Sequence, residues 1–186
     1  MVMVSVGIVL MFGLAYSMAR DNENNSIKTI LYMPIRSNRY LLIKMVPYII
    51  LGLIQLIISL LIGHFLYKID YQINIFLLVL IAMLYVLSSI SLGLIFGMMK
   101  SQISAALLAT FVILFPAFDA LTYVLASLPK YLMFIQYLIP GKVFSLLLNG
   151  MMFGGVIIWW QVIALACQTI LFYLIAFLIL KRKVLR

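Results

Sequence analysis

The stretch MVPYIILGLIQLIISLLIGHFLY, Met45–Tyr67, decides the class of this protein before anything else is read. Its 23 residues hold no acid, lysine or arginine, and its polar side chains are confined to Tyr48, Gln55, Ser59, His64 and Tyr67. A helix needs roughly 20 predominantly apolar residues to cross a hydrocarbon core, and this run is long enough. Working outward, four more runs have the same character. They are Met1–Ala19, which is uncharged until Arg20, then 75–99, 103–126, which is interrupted by Pro116 and Asp119, and 156–180, which is closed by Lys181-Arg182-Lys183.

Composition agrees. Of 186 residues 67% are hydrophobic and 9% charged, where a soluble domain is about half apolar and a quarter charged. Mean hydropathy is +1.27. So much apolar surface cannot be hidden inside a water-soluble globule of this size. The net charge of +9 comes from basic residues clumped at the ends of apolar runs, the pattern of membrane sorting rather than of a nucleic-acid-binding face. A single cysteine, Cys167, excludes an internal disulfide framework.

The segment 127–153 is expected to differ from a plain span. It carries Pro129, Lys130, Pro140, Gly141, Lys142, Asn149 and Gly150, and its apolar pieces, 131–139 and 143–153, are too short to cross. Two short helices hinged at Pro140-Gly141 would dip into the outer leaflet and return, which is tolerated only where the backbone is buried in protein or lines a cavity. The expected fold is therefore all-α and integral to a membrane. It has about five transmembrane helices, a cytoplasmic amphipathic helix and a re-entrant helical pair on the outer side, all in one domain over residues 1–186.

Under this layout Arg20, Lys28, Arg36, Arg39, Lys44, Lys100, Lys181, Arg182, Lys183 and Arg186 share one side, and only Lys68, Lys130 and Lys142 take the other. The positive-inside rule then puts the N-terminus outside and the C-terminus in the cytoplasm. Met1–Ala19 has no basic flank or cleavage motif and is not a secretory signal. A further span before it is expected, lost by truncation or supplied by another chain.

The segment 20–44 is the one long polar stretch. Asn24, Asn25 or Ser26 can cap a short helix. Ile27, Ile30 and Leu31 then recur on one face, with Lys28, Thr29 and Tyr32 opposite. Pro34 ends that helix, Arg36 and Arg39 fall at headgroup level, and Ser37 or Asn38 can cap the run into the second span. Periodicity alone fits equally an interfacial helix that simply lies on lipid.

The order of motifs carries a resemblance. Asp21-Asn22-Glu23-Asn24-Asn25-Ser26-Ile27-Lys28-Thr29-Ile30-Leu31-Tyr32-Met33-Pro34-Ile35, followed by Tyr40-Leu41-Leu42-Ile43-Lys44, resembles the cytoplasmic segment of ABC-2 type transporter permeases. Ser91–Gly97, Ser101–Ala106, Leu128-Pro129 and Leu138-Ile139-Pro140 are similar to later motifs of that family, so the likeness runs over about 165 residues in order and spacing. The resemblance implies that the five spans are the second to sixth of a six-span permease and that Ser26–Met33 is a coupling helix. Glu23, Ser26, Ile27, Thr29, Ile30 and Leu31 would then engage a separate ATP-binding subunit, which would hold the ATP and Mg. A second permease subunit, the same or related, would complete the path through a bacterial cytoplasmic membrane. The family's frequent Ser-Gly pair is here Asp119-Ala120.

The residues themselves exclude other chemistry. No Gly-x-x-x-x-Gly-Lys-Ser/Thr loop is present, so ATP binding by that route needs a partner. One His, four acids and one Cys, widely separated, make neither metal site nor triad. No cofactor of its own, no catalytic residue and no nucleic-acid partner is expected. Gln55, central in its span, and Asp119, where an acid is costly, are the candidates for the translocation path. Asp119 fits as well pairing with Lys130 or Lys142, or capping a short interfacial helix. His64 reads as interfacially solvated, and Trp159 and Trp160 as interface anchors. Gly93 and Gly97 permit close helix approach, within the subunit or between subunits. The function expected is the permease subunit of an ATP-driven exporter. The alternatives are an ATP-independent transporter or channel, and a non-transporting immunity or assembly protein.

Overall fold

The computed structural model describes residues 2–24, 37–67, 75–98, 140–154 and 159–184. Within them the chain is helical: α1 (Val2–Glu23), α2 (Ser37–Tyr67), α3 (Ile75–Gly97), α4 (Pro140–Gly154) and α5 (Trp159–Val184). An apolar chain in lipid has no water to satisfy its backbone, and a helix closes every amide on its own carbonyls. Among the described residues, three stretches are long and apolar enough to cross a membrane: Asn38–Phe65, Phe76–Gly97 and Trp159–Arg182. They correspond to the second, third and fifth expected spans. The first is occupied by α1, and the fourth, 103–126, lies outside the described residues.

The helices overrun the apolar limits read from hydropathy. α1 continues through Arg20, Asp21 and Glu23, and α2 begins at Ser37, where a cap was expected, ahead of the apolar limit at Met45. Hydropathy marks where lipid contact stops, whereas a helix stops only where the backbone is broken or capped. Neither Asn38–Lys44 nor Arg20–Glu23 contains a breaker. α2 even runs through Pro47.

α3 is the centre of the assembly and packs against each of the other four helices. In its most apolar stretch 67% is buried within the chain, against 17% in α2 and in α5. Its inward residues include Leu78, Ile81, Ala82, Tyr85, Val86, Ile90 and Leu94. α1 lies alongside it in parallel, with Met11 beside Gly93 and Ala15 beside Gly97. A Cβ on Gly93 would stand 2.7 Å from the Met11 carbonyl oxygen, and one on Gly97 would stand 2.8 Å from that of Ala15. The Gly-x-x-x-Gly pair is therefore used within the subunit, to bring α1 onto α3 at backbone distance.

α2 runs antiparallel to α1. The Tyr48 hydroxyl donates to the Gly13 carbonyl at 3.0 Å, and Lys44 and Tyr40 meet Ser17 and Asp21 farther along. α4, at 15 residues, is about 22 Å long, less than the roughly 30 Å of hydrocarbon. Pro140 starts it, where a missing N–H costs nothing. The expected hinge residues thus form its first turn, and the other half of the expected re-entrant pair lies outside the described residues. Phe144 stacks flat on Tyr85, with centroids 4.2 Å apart and planes 3° from parallel, and docks α4 on α3.

The outer surface is as apolar as the interior. Ile50, Ile54, Ile57 and Leu61 of α2, and Ile163, Ile170, Leu174 and Leu178 of α5, all point outward. In water this would be an aggregating patch, but against lipid tails it is matched. Hydroxyls on α2, α3 and α5 fold back on their own backbone: Ser59 donates to the Gln55 carbonyl, Ser91 to Leu87 and Thr169 to Leu165, each at 2.8 Å. Such bonds satisfy a polar group inside an apolar helix.

Candidate functional site

Polar side chains converge where α1 ends and α2 begins, at the two ends of the segment expected to meet a partner. α1 closes with the Asn24 amide bonded to the Arg20 carbonyl at 3.0 Å. Its last turn carries Asp21 and Glu23, at the negative end of the helix dipole where a carboxylate is disfavoured. Asp21 is compensated from the neighbouring helix. Lys44 Nζ lies 2.6 Å from its Oδ2, with both side chains about three-quarters buried, and the Tyr40 hydroxyl donates to the same oxygen at 3.0 Å. Lys44 also reaches Ser17 Oγ at 3.5 Å.

The backbone periods explain why these four meet. Ser17 and Asp21 are one turn apart on α1, as Tyr40 and Lys44 are on α2, so each pair shares a face of its helix. Antiparallel packing brings the two faces together. The flanking charges Arg20, Glu23 and Arg39 are turned outward. Asn38 is tied in another direction: its Oδ1 accepts a hydrogen bond from the Tyr173 hydroxyl of α5. That oxygen is spent on α5, so Asn38 links two helices rather than merely opening one.

Of the expected coupling residues, Glu23 is exposed at the end of α1, while Ser26, Ile27, Thr29, Ile30 and Leu31 lie outside the described residues, as does Asp119. Gln55 is half-buried on α2, and its Oε1 is shielded without a hydrogen-bond partner among the described residues. The Oε1 of Gln161 on α5 and Oγ of Ser88 on α3 share that condition. His64 is exposed and lies edge-on to Phe65, while Trp159 and Trp160 are exposed at the start of α5, where interface anchors belong. Among the described residues no three His, Cys, Asp or Glu side chains gather as a metal site would require.

Sequence reasoning saw Asp21, Tyr40 and Lys44 only as letters in a motif and missed their junction. The signal was present in the paired spacing of four, Ser17/Asp21 and Tyr40/Lys44. It becomes readable only once the two helices are known to be antiparallel neighbours.

Residues 1–178 match the family model described as ABC-2 family transporter protein. The chain is 25% identical over 171 residues to the probable multidrug ABC transporter permease YbhS of Escherichia coli strain K12, and equally to that of strain O157:H7. The alignment covers 89% of this chain and 45% of each relative, so the chain spans less than half the length of the curated relatives it matches. With a family match over residues 1–178, which takes in α1 to α4 and most of α5, the chain belongs to the ABC-2 family of transporter proteins.

Proposed function

We propose that this chain is a membrane-spanning permease subunit of an ATP-driven exporter in a bacterial cytoplasmic membrane. The observation that carries the reading is the family match over residues 1–178. Since the sequence has no phosphate-binding loop, ATP and Mg belong on a separate ATP-binding subunit. A second permease subunit, identical or related, completes the path, with lipid around the apolar faces of α2 and α5.

In this reading the N-terminus is outside and the C-terminus is cytoplasmic, and the parallel α1 and α3 with antiparallel α2 are what successive crossings require. Segment 25–36 carries the coupling helix. Hydrolysis on the partner displaces Ile27, Thr29, Ile30 and Leu31, with Glu23 and Ser26 at the edge of that surface. A ligand-driven shift needs differential contacts in the two states, and the nucleotide-dependent shape of the partner supplies them. Gln55 and Asp119 remain the proposed contributors to the path, and residues 127–153 the proposed re-entrant segment. The relatives' description as probable multidrug permeases makes drug-like compounds the first substrates to screen.

The sequence favours this over an ATP-independent transporter, since Asp119 is the one acid within the five expected spans, whereas ion-coupled transporters place several acids and internal repeats at membrane depth. The test is Ile30→Asp in the complex with its ATP-binding partner. ATP hydrolysis should persist while drug efflux falls to background. Efflux at the unmodified level would overturn the coupling assignment.

A further inference from the structure

We propose that Asp21, Lys44 and Tyr40 form a positioning latch that holds the end of α1 and the start of α2 as one lever, so that a push on segment 25–36 moves both helices together. The inference rests on the permease reading only for the origin of the push; the latch itself is a property of this chain.

Three observations converge on it. First, the cluster sits at the two points where the chain leaves and re-enters the helices, Asp21 three residues before Asn24 and Tyr40 three after Ser37. Without a tie at this point, displacing the intervening segment would spread the helix ends apart before it moved the spans. Second, one carboxylate oxygen accepts from both Lys44 and Tyr40, at 2.6 and 3.0 Å, and Lys44 is steadied by Ser17. Two donors from one face of α2 fix its rotation about its axis as well as its distance from α1. Third, the sequence segregates its charges here: Asp21 and Lys44 turn inward while Arg20, Glu23 and Arg39 turn outward. A sheltered ion pair gives little net stability over apolar packing, because desolvation offsets attraction, and its best-attested use is to fix register. At this site the apolar alternative abounds in the neighbouring sequence, yet the pair is what the helices present to each other. Asn38 and Tyr173 extend the same tie to α5.

The latch predicts a local loss of order when it is cut, without loss of the bundle. Spin labels are placed at Asn24→Cys and Arg39→Cys, both exposed, in a Cys167→Ser background, with the full chain in lipid nanodiscs. A control pair at Ile57→Cys and Met83→Cys reports α2 against α3. The unmodified latch should give one narrow distance distribution. Asp21→Asn and Lys44→Met should each broaden it about twofold or more, Asp21→Glu should keep it narrow, and the control pair should not change. An unchanged distribution in Asp21→Asn would overturn the proposal. So would equal broadening of the control pair, which would make the cluster a general fold contact. Neither result depends on an ATP-binding partner, so failure of the latch and failure of the permease reading are separately visible.

Discussion

The seam between α1 and α3 is dry and backbone-close, whereas the junction between α1 and the start of α2 is polar and held by side-chain ends. At the seam, Gly93 and Gly97 let Met11 and Ala15 approach until no methyl group would fit, and Leu92, Phe96 and Phe172 pack around the crossing. At the junction, Asp21, Lys44, Tyr40 and Ser17 meet through hydrogen bonds and an ion pair. Close packing at the first has one good arrangement, because the glycine positions have no volume to spare. At the second, two donors from α2 on one carboxylate oxygen hold the ends of α1 and α2 at a set distance and rotation, so that they move together. One contact is suited to keeping helices fixed and the other to carrying a displacement.

The comparison breaks first at the seam. Gly97→Leu should drive α1 off α3, at a cost of about 3 kcal/mol, since added methylenes in a filled contact force backbone shifts. The measurement is thermal unfolding of the purified chain in detergent, and a monodisperse protein of unchanged stability would show that the helices are not in backbone contact.

An intermediate effect belongs to the junction. Lys44→Met leaves the mostly sheltered Asp21 with only Tyr40, and should cost about 1–2 kcal/mol, less than a fully buried pair because both partners retain some solvent. Replacing both, as Asp21→Leu with Lys44→Met, should recover most of that loss. A double-mutant cycle checks it, and additive single effects would mean that the pair is not formed. The smallest effect is expected from Tyr173→Phe. It removes the bond to Asn38 at an exposed position and should cost about 0.6 kcal/mol, the usual size for a polar contact between membrane helices.

The same contrast explains what could be read from the sequence. The spans were legible because lipid demands a long uncharged run, and Met45–Tyr67 and 156–180 supply one with no competing interpretation. The close approach at Gly93 and Gly97 was legible too, but not its partner, because small residues at spacing four say that something comes near without saying what. The polar junction was hidden for a different reason. Asp21 and Lys44 are two charges in a segment rich in them, and only the antiparallel contact of α1 with α2 separates the pair that turns inward from Arg20, Glu23 and Arg39, which do not. Helix starts and span limits were legible as different things: Ser37 or Asn38 reads as a cap, and α2 begins at Ser37, while polarity at Asn38–Lys44 marks the lipid boundary. Gln55 was chosen for its central place in a span, and its shielded oxygen, without a partner among the described residues, keeps it worth substituting without defining a path.

The central claim is that segment 25–36 receives an ATP-driven displacement that the Asp21–Lys44 junction passes to the spans. Its most direct test is a site-specific crosslink from Thr29→Cys in a Cys167→Ser background, carried out in native membranes with and without nucleotide. Capture of an ATP-binding subunit in a nucleotide-dependent yield is the expected result. A folded, correctly inserted chain that captures no such subunit, with that subunit present in the membrane, would contradict the account.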